Sequence, residues 1–298
     1  MRDGRDLLLN FSVPPEATQA STMLVFLEGF MDAGKAAGAA VDTLQQFLPH
    51  RTVADFDTDQ LIDYRGRRPP MDFNGKRFTS MAWPELEVVL LFDEQEQPFY
   101  VLSGPEPDYQ WFRFADAVQH LVRELGVTLV ATGQGVPWAA PHTRPLRRLT
   151  HASRDELIGT RPGWSQHVKV PGHLTAVLEM RLNRGGVDTV SQSVQVPHYL
   201  ADLLLPQAAS CLIDGWADVT GLSLPHGDLV ELGEPVMEQI DAQTQNAPEM
   251  AQAISELERA YDNDLTHDDS PWGEHDIAGQ VEQFLRDLGD DPDPRPGG

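Results

Sequence analysis

Residues 22–57 carry the pattern that most restricts the fold. The run TMLVFLEGF, 22–30, is short and mostly apolar and meets a glycine near its end, which marks a buried strand. Asp32 stands at an N-cap position ahead of an Ala-rich stretch, 33–48. There Val41, Leu44, Phe47 and Leu48 recur at helical spacing until Pro49 ends the run. Residues 51–57, RTVADFD, alternate like a strand. The order β-α-β lays a helix across a sheet and calls for an α/β fold with parallel strands.

A second texture follows. Residues 76–83, 86–92 and 98–103 are strand-like, and the polar DEQEQ between the last two reads as a hairpin connection, so a mixed central sheet is expected. From Asp108 to Leu125 the residues Trp111, Phe112, Ala115, Val118, Leu121, Val122 and Leu125 fall at three- and four-residue steps, with Gly126 as the stop. The strand VTLVAT, 127–132, ends in Gly133, Gln134 and Gly135, followed by a Pro-rich loop to Pro145. A helix over 171–183, a strand over 187–196 and a helix from Pro197 to Thr220 complete an α/β domain, 1–225. Acidic helices over 227–260 and 273–288 make a helical extension, 226–288, and 289–298 reads as a disordered tail.

The chain of 298 residues carries a net charge of −24, unevenly placed. Residues 228–298 hold 19 Asp and Glu against Arg259, Arg286 and Arg295. Such a surplus of acid argues against nucleic-acid and anionic-membrane partners, which need Lys and Arg to neutralise phosphate. A lone cysteine, Cys211, excludes a disulfide framework or Cys-rich zinc module and points to a reducing compartment. Leu7, Leu8 and Leu9 are too short an apolar core for a signal peptide, and no apolar run approaches the ~20 residues of a spanning helix. The expectation is a soluble, cytoplasmic protein.

Three constellations could carry chemistry. GFMDAGK, 29–35, has the G-x-x-x-x-G-K spacing of a phosphate loop between a strand and a helix. Ala36 replaces the magnesium-binding hydroxyl, however, and Asp32 puts a carboxylate where phosphate charge would sit, which favours a plain strand-turn-helix. In VADFDTDQLIDYRGRRPPMDF, 53–73, Asp55, Asp57 and Asp59 share one edge of an extended chain and could face a hard cation. Arg65, Arg67 and Arg68 follow and would neutralise them in an ion-pair network, so no metal is expected. In GQGVPWAAPHTRP, 133–145, Gly133 and Gly135 leave the carboxyl end of a central strand, where open α/β sheets bind ligands, and His142 and Arg144 add an imidazole and an anion-binding fork. Pro137 and Pro141 forbid the helix that a dinucleotide fingerprint requires. Cys211, among Ala208, Ala209, Leu212 and Ile213, reads as core.

Taken in order, GFMDAG (29–34), DFDTDQLIDYRGRRPPMDF (55–73), LSGPEPDYQW (102–111), TGQGVPWAAPHTRP (132–145) and VQVPHYLA (194–201) resemble the signature blocks of the proteasome assembly chaperone 2 family, in its actinobacterial branch. The resemblance implies a three-layer α/β fold with a mixed central sheet, similar to nucleoside phosphorylases and hydrolases, homo-oligomers, and no established catalysis or cofactor. It implies a chaperone-like protein client. The C-terminus, Pro296, Gly297 and Gly298, lacks the penultimate Tyr of the hydrophobic-Tyr-X tail by which some relatives dock. The leading expectation is a non-catalytic oligomeric binding protein whose partner surface involves the 55–68 cluster and the acidic helices. The alternative is a small-molecule enzyme with Arg144 on an anionic group, His142 as acid or base, and Asp57 or Asp59 orienting the substrate.

Overall fold

The computed structural model describes residues 4–15, 19–164, 169–245 and 247–266. In chain order the first half contains β1 (Leu8–Phe11), β2 (Thr22–Glu28), α1 (Ala36–Phe47), β3 (His50–Phe56), the one-turn α2 (Thr58–Leu61), β4 (Met71–Phe73), β5 (Phe78–Met81), β6 (Glu87–Phe92), β7 (Pro98–Pro105) and α3 (Trp111–Glu124). The second half contains β8 (Leu129–Trp138), β9 (Arg148–Ala152), the one-turn α4 (Asp155–Ile158), α5 (Leu174–Arg184), β10 (Asp188–Pro197), α6 (Pro206–Thr220), α7 (Leu229–Gln245) and α8 (Pro248–Thr266). The expected helix over 273–288 and the tail over 289–298 lie outside the described residues.

Eight strands form one mixed sheet in the order β1-β3-β6-β7-β2-β8-β10-β9, and β4 and β5 form a separate two-stranded hairpin. The centre, β7-β2-β8-β10, is parallel, and the flanking strands β6 and β9 run antiparallel to it. The sequence shows why. β2 and β10 are buried over nearly their whole length and need cover on both faces, whereas the exposed first half of β3 suits a place near the edge. The anticipated β-α-β unit is present with a difference: β2 and β3 run the same way, but the β6-β7 hairpin lies between them.

Helices cover both faces. On one, Phe114, Val118 and Leu121 of α3 and Leu174, Leu178 and Leu182 of α5 pack on Met23, Val25, Leu27 and Tyr100. On the other, Ala37, Val41 and Leu44 of α1 and Leu212, Ile213 and Trp216 of α6 pack on Leu24, Val101 and Val194. Each such Leu, Val, Ile, Met or Phe side chain removed from water contributes roughly 1.5–3 kcal/mol, enough to set the layers regardless of weak local preferences. Phe112, assigned by periodicity to the apolar stripe of α3, is instead 70% exposed, and Phe114 takes the buried position.

Three boundaries depart from expectation. β8 does not stop at Thr132: it pairs with β10 as far as Trp138, so Gly133 and Gly135 are strand residues. Pro137 is tolerated because β2 pairs with β8 only as far as Thr132, leaving one side of β8 free of ladder bonds. The helix expected from Pro197 begins at Pro206. The preceding residues are held by the α1 entry turn, where the Gly34 N–H donates to the Ala201 carbonyl and the Leu205 N–H to the Gly34 carbonyl. The acidic stretch 227–260 forms two helices, α7 and α8, of which α7 packs Leu229 and Ile240 into the α1–α6 layer. β1 and β9, both edge strands, carry no alternation strong enough to have been read from sequence.

Candidate functional site

The phosphate-loop spacing is filled by the protein's own anion. The Asp32 carboxylate accepts the N–H groups of Ala37 at 2.9 Å and of Gly38 and Gly135 at 3.0 Å. Burial pushes Asp32 up, and these three donors and Lys35 partly offset the rise. The nest that would cradle a phosphate is therefore a structural clamp between α1 and β8.

The 55–68 cluster is dispersed. Asp55 accepts from Asn10 at 2.8 Å, Asp57 accepts from Gln60 at 2.8 Å at the start of α2, and Asp59 is exposed. Arg67 pairs with Asp108 and donates to the Glu106 carbonyl, not to those aspartates, while Arg65 and Arg68 are exposed. The expected Asp–Arg network over 55–68 thus gives way to a link between Arg67 and the start of α3. Among the described residues no group of three His, Cys, Asp or Glu is placed to hold a metal ion.

The loop after β8 is covered. The His142 side chain is 1% exposed. Its Nδ1 lies 2.7 Å from the Tyr199 hydroxyl and its Nε2 3.1 Å from Asp241 of α7. Arg144 pairs with Glu258 at 3.1 Å and Asp262 at 2.7 Å on α8. These carboxylates push the guanidinium up, the hydrogen bond to Asp262 most, and Arg144 in turn holds Asp262 low. Arg147 lies 3.7 Å over the Tyr261 ring, whose hydroxyl donates to the Pro145 carbonyl at 2.8 Å. The acidic helices thus serve the chain's own arginines. Gly133 and Gly135 make close approaches rather than a ligand cradle: Leu212 of α6 lies over Gly133, and a Cβ on Gly135 would stand 1.9 Å from the Ala33 carbonyl oxygen. Cys211 is half-buried, and its desolvation pushes the thiol up to about 11 and leaves it a poor nucleophile.

The side chains that do converge lie elsewhere. From β2 the chain crosses to β3 on one side, and from β8 it passes through α5 to β10 on the other. The two strands part beyond Val25 and Thr132, and this reversal leaves a crevice at their carboxyl ends. It holds a cavity of about 80 Å³. Its floor is one cross-strand row, in which Thr132 of β8 pairs with Ser191 of β10, and Ser191 with His151 of β9. Above it Glu179 of α5 accepts from Thr132 Oγ1 at 2.9 Å and from His151 Nε2 at 3.0 Å. Burial opposes charge on both partners, yet their mutual bond outweighs it, holding Glu179 below and His151 above its ordinary value. His173 caps α5, accepting the Ala176 N–H on Nδ1, and stacks on Phe30 at 4.4 Å; burial lowers it.

Ser191 is 4% exposed and its hydroxyl meets no protein partner among the described residues. The same holds for the Ser193 Oγ and the Gln195 Nε2 next along the same face of β10. A buried polar group without a partner costs about 1–3 kcal/mol, so this polar floor is an expense the fold does not need for packing. None of Ser191, His151, His173 or Glu179 stood out in the sequence, where the histidines are scattered. The available signal was the polar alternation of SQSVQ within an otherwise buried strand.

The fold and cleft define a three-layer α/β protein with its crevice at a strand-order reversal. A family model described as the PAC2 family matches residues 26–244, and the chain belongs to that family. A Mycobacterium tuberculosis protein of unknown function is similar to it at 38% identity and a TM-score of 0.81, covering 87% of this chain and 91% of the other. A Corynebacterium glutamicum protein of unknown function shares 34% identity at the same TM-score, covering 87% and 97%. A second M. tuberculosis protein, described as a proteasome-assembly chaperone homologue, has the same fold at 23% identity and a TM-score of 0.72, covering 78% and 99%. No curated protein matches the chain. Among the described residues no helix is long and apolar enough to cross a membrane.

Proposed function

We propose that the chain is a non-catalytic, oligomeric binding protein of the assembly-chaperone type, using a nucleoside-phosphorylase-like α/β domain, 1–225, as a cytoplasmic scaffold and its acidic extension as an interaction surface. The observation that carries this reading is the β4-β5 hairpin. Met71, Phe73, Phe78 and Trp83 are each at least half exposed, and a lone two-stranded hairpin is marginal in water without cover. Around it stand Arg65, Arg68, Lys76 and Arg77, a basic arm on a strongly acidic chain. The complementary surface is on the same molecule: α7 and α8 carry Glu231, Glu234 and Glu249 beside exposed Val230, Leu232 and Met250. The arm of one copy suits the acidic helices of the next, a head-to-tail contact that closes into a ring when the rotation permits.

The description of the structural neighbour as an assembly-chaperone homologue supports a protein client for the same arm. A binding role also accords with His142 and Arg144, the residues an enzyme reading would use, being engaged by Tyr199, Asp241, Glu258 and Asp262. Sedimentation velocity on the full chain tests the proposal. The unaltered protein is expected to sediment as a closed oligomer and the double variant Phe73→Ser, Phe78→Ser as a folded monomer. A monomeric wild-type protein, or a variant that assembles equally well, overturns it.

A further inference from the structure

We propose that the cavity between the ends of β2 and β8 binds a small monocarboxylate, with its head group held by Ser191 and His173 beside the His151–Glu179 pair and its short alkyl tail against Val25, Leu27 and Met31. The inference is independent of the oligomer reading. It starts from the balance of hydrogen-bonding groups. Glu179 already accepts at both oxygens, from Thr132 and His151. What remains is on the donor side. With Nδ1 of His173 accepting the Ala176 N–H, the neutral ring carries its proton on Nε2, and the described residues give that donor no partner. The Ser191 hydroxyl, nine-tenths buried and lining the same cavity, is likewise unmatched.

A ligand that complements this set brings acceptor oxygens. The α5 N-terminus, whose Thr175 and Ala176 line the cavity, presents the positive end of an 11-residue helix, where the Leu174 N–H already donates to Glu106 and the Ala176 N–H to His173. The charge of Glu179 is balanced by His151, so an added carboxylate does not meet an uncompensated anion. Size narrows the class: about 80 Å³ lies far below the roughly 300–1,000 Å³ of cofactor and nucleoside pockets and admits only a short acid. Val25, which continues the Thr132–Ser191–His151 row onto β2, and the lining residues Leu27 and Met31 are apolar and suit a hydrocarbon tail rather than a second charge.

The test titrates the full chain with sodium propionate, propionamide and propylammonium chloride at matched ionic strength, following the histidine ring signals by NMR and the melting temperature. Propionate is expected to move the His151 and His173 signals saturably and to raise the melting temperature, with the amide and the amine at least tenfold weaker. Ser191→Ala, which removes one oxygen, is expected to weaken propionate by about tenfold, or about 1.4 kcal/mol. The proposal is overturned if propionate produces no saturable change, if the amide or amine binds as tightly, or if Ser191→Ala binds unchanged. The ring signals of the unaltered protein decide the matter alone should the variant not fold.

Discussion

Asp32 and Gly135, 103 positions apart, are joined by a hydrogen bond of 3.0 Å from the glycine N–H to the half-buried carboxylate. The contact needs both residue types. Asp32 supplies an acceptor for three backbone donors, and Gly135 lets β8 run against the Ala33 turn where any side chain would collide. Gly135→Ala is therefore expected to destabilise the fold by about 3 kcal/mol, because the obstructing atom is backbone and cannot rotate away. Asp32→Ala is expected to cost about 1–3 kcal/mol by orphaning those N–H groups. Urea denaturation followed by circular dichroism measures both, and a loss below about 0.5 kcal/mol for either contradicts the clamp.

The Glu179–His151 pair makes stability depend on pH in a defined direction. His151 is held above its ordinary 6.5, so its contribution is complete below that pH and is lost as pH rises through the raised value. Glu179 is held below its ordinary 4.5, so its contribution is complete above that pH and is lost on acidification. Between the two both groups are charged. His151→Gln is expected to be less stable than wild type near about pH 5.5, by less than about 1 kcal/mol because the imidazole edge meets solvent, with the gap closing by about pH 9. Melting curves across that range check it; a gap that widens with pH has the wrong sign.

Arg144, Glu258 and Asp262 hold α8 by exposed ion pairs, which salt screens. Raising ionic strength is expected to speed proteolytic cleavage within α8 while sparing the sheet. Arg144→Glu is expected to reproduce the effect at low salt, and adding Glu258→Arg and Asp262→Arg to reverse it. Equal cleavage rates in all three proteins place the helix elsewhere in solution.

His142 is anchored by neutral and ionic partners together, with its ring 5.8 Å from the Tyr199 ring and its nitrogens on Tyr199 and Asp241. His142→Ala leaves the Tyr199 hydroxyl without its ring partner and opens a gap under α7, for an expected loss of about 2 kcal/mol. Tyr199→Phe on the same background is expected to cost less than in the unaltered protein, since the ring bond is already gone and only the backbone N–H of position 142 still uses the hydroxyl; a fully additive double variant refutes the coupling.

Phe73 and Phe78 touch each other at 5.1 Å and remain exposed. Phe73→Ser with Phe78→Ser is expected to change the monomer's stability by no more than about 0.5 kcal/mol, while abolishing self-association. Chemical denaturation at low protein concentration separates the two effects.

Much of the scaffold was legible. The strand at 22–30 follows from its apolar run, the helix over 108–125 from its period of 3.6, and the strand at 187–196 from Val190, Val194 and Val196 recurring on one face, because a buried face demands apolar residues wherever it recurs. Asp32 was readable as the flaw in a phosphate loop, since a carboxylate and a phosphate compete for the same N–H groups. What misled was local chemistry judged without its surroundings. Gly133, Gly135 and Pro137 read as a loop, yet pairing with β10 outweighs their poor strand preference. Arg67, expected beside Asp55, Asp57 and Asp59, instead reaches Asp108, brought close by the approach of α3.

Taken alone, the amino-acid order determined which faces are buried, that the sheet is mixed, and that the C-terminal quarter is acidic. The tertiary structure alone decided that Thr132, Ser191 and His151 form one row under Glu179, and that His142 and Arg144 end against α7 and α8. The reason is physical: hydrophobic periodicity records the direction in which a residue points, whereas strand register and helix docking select which polar groups meet, and those are set by contacts between distant segments.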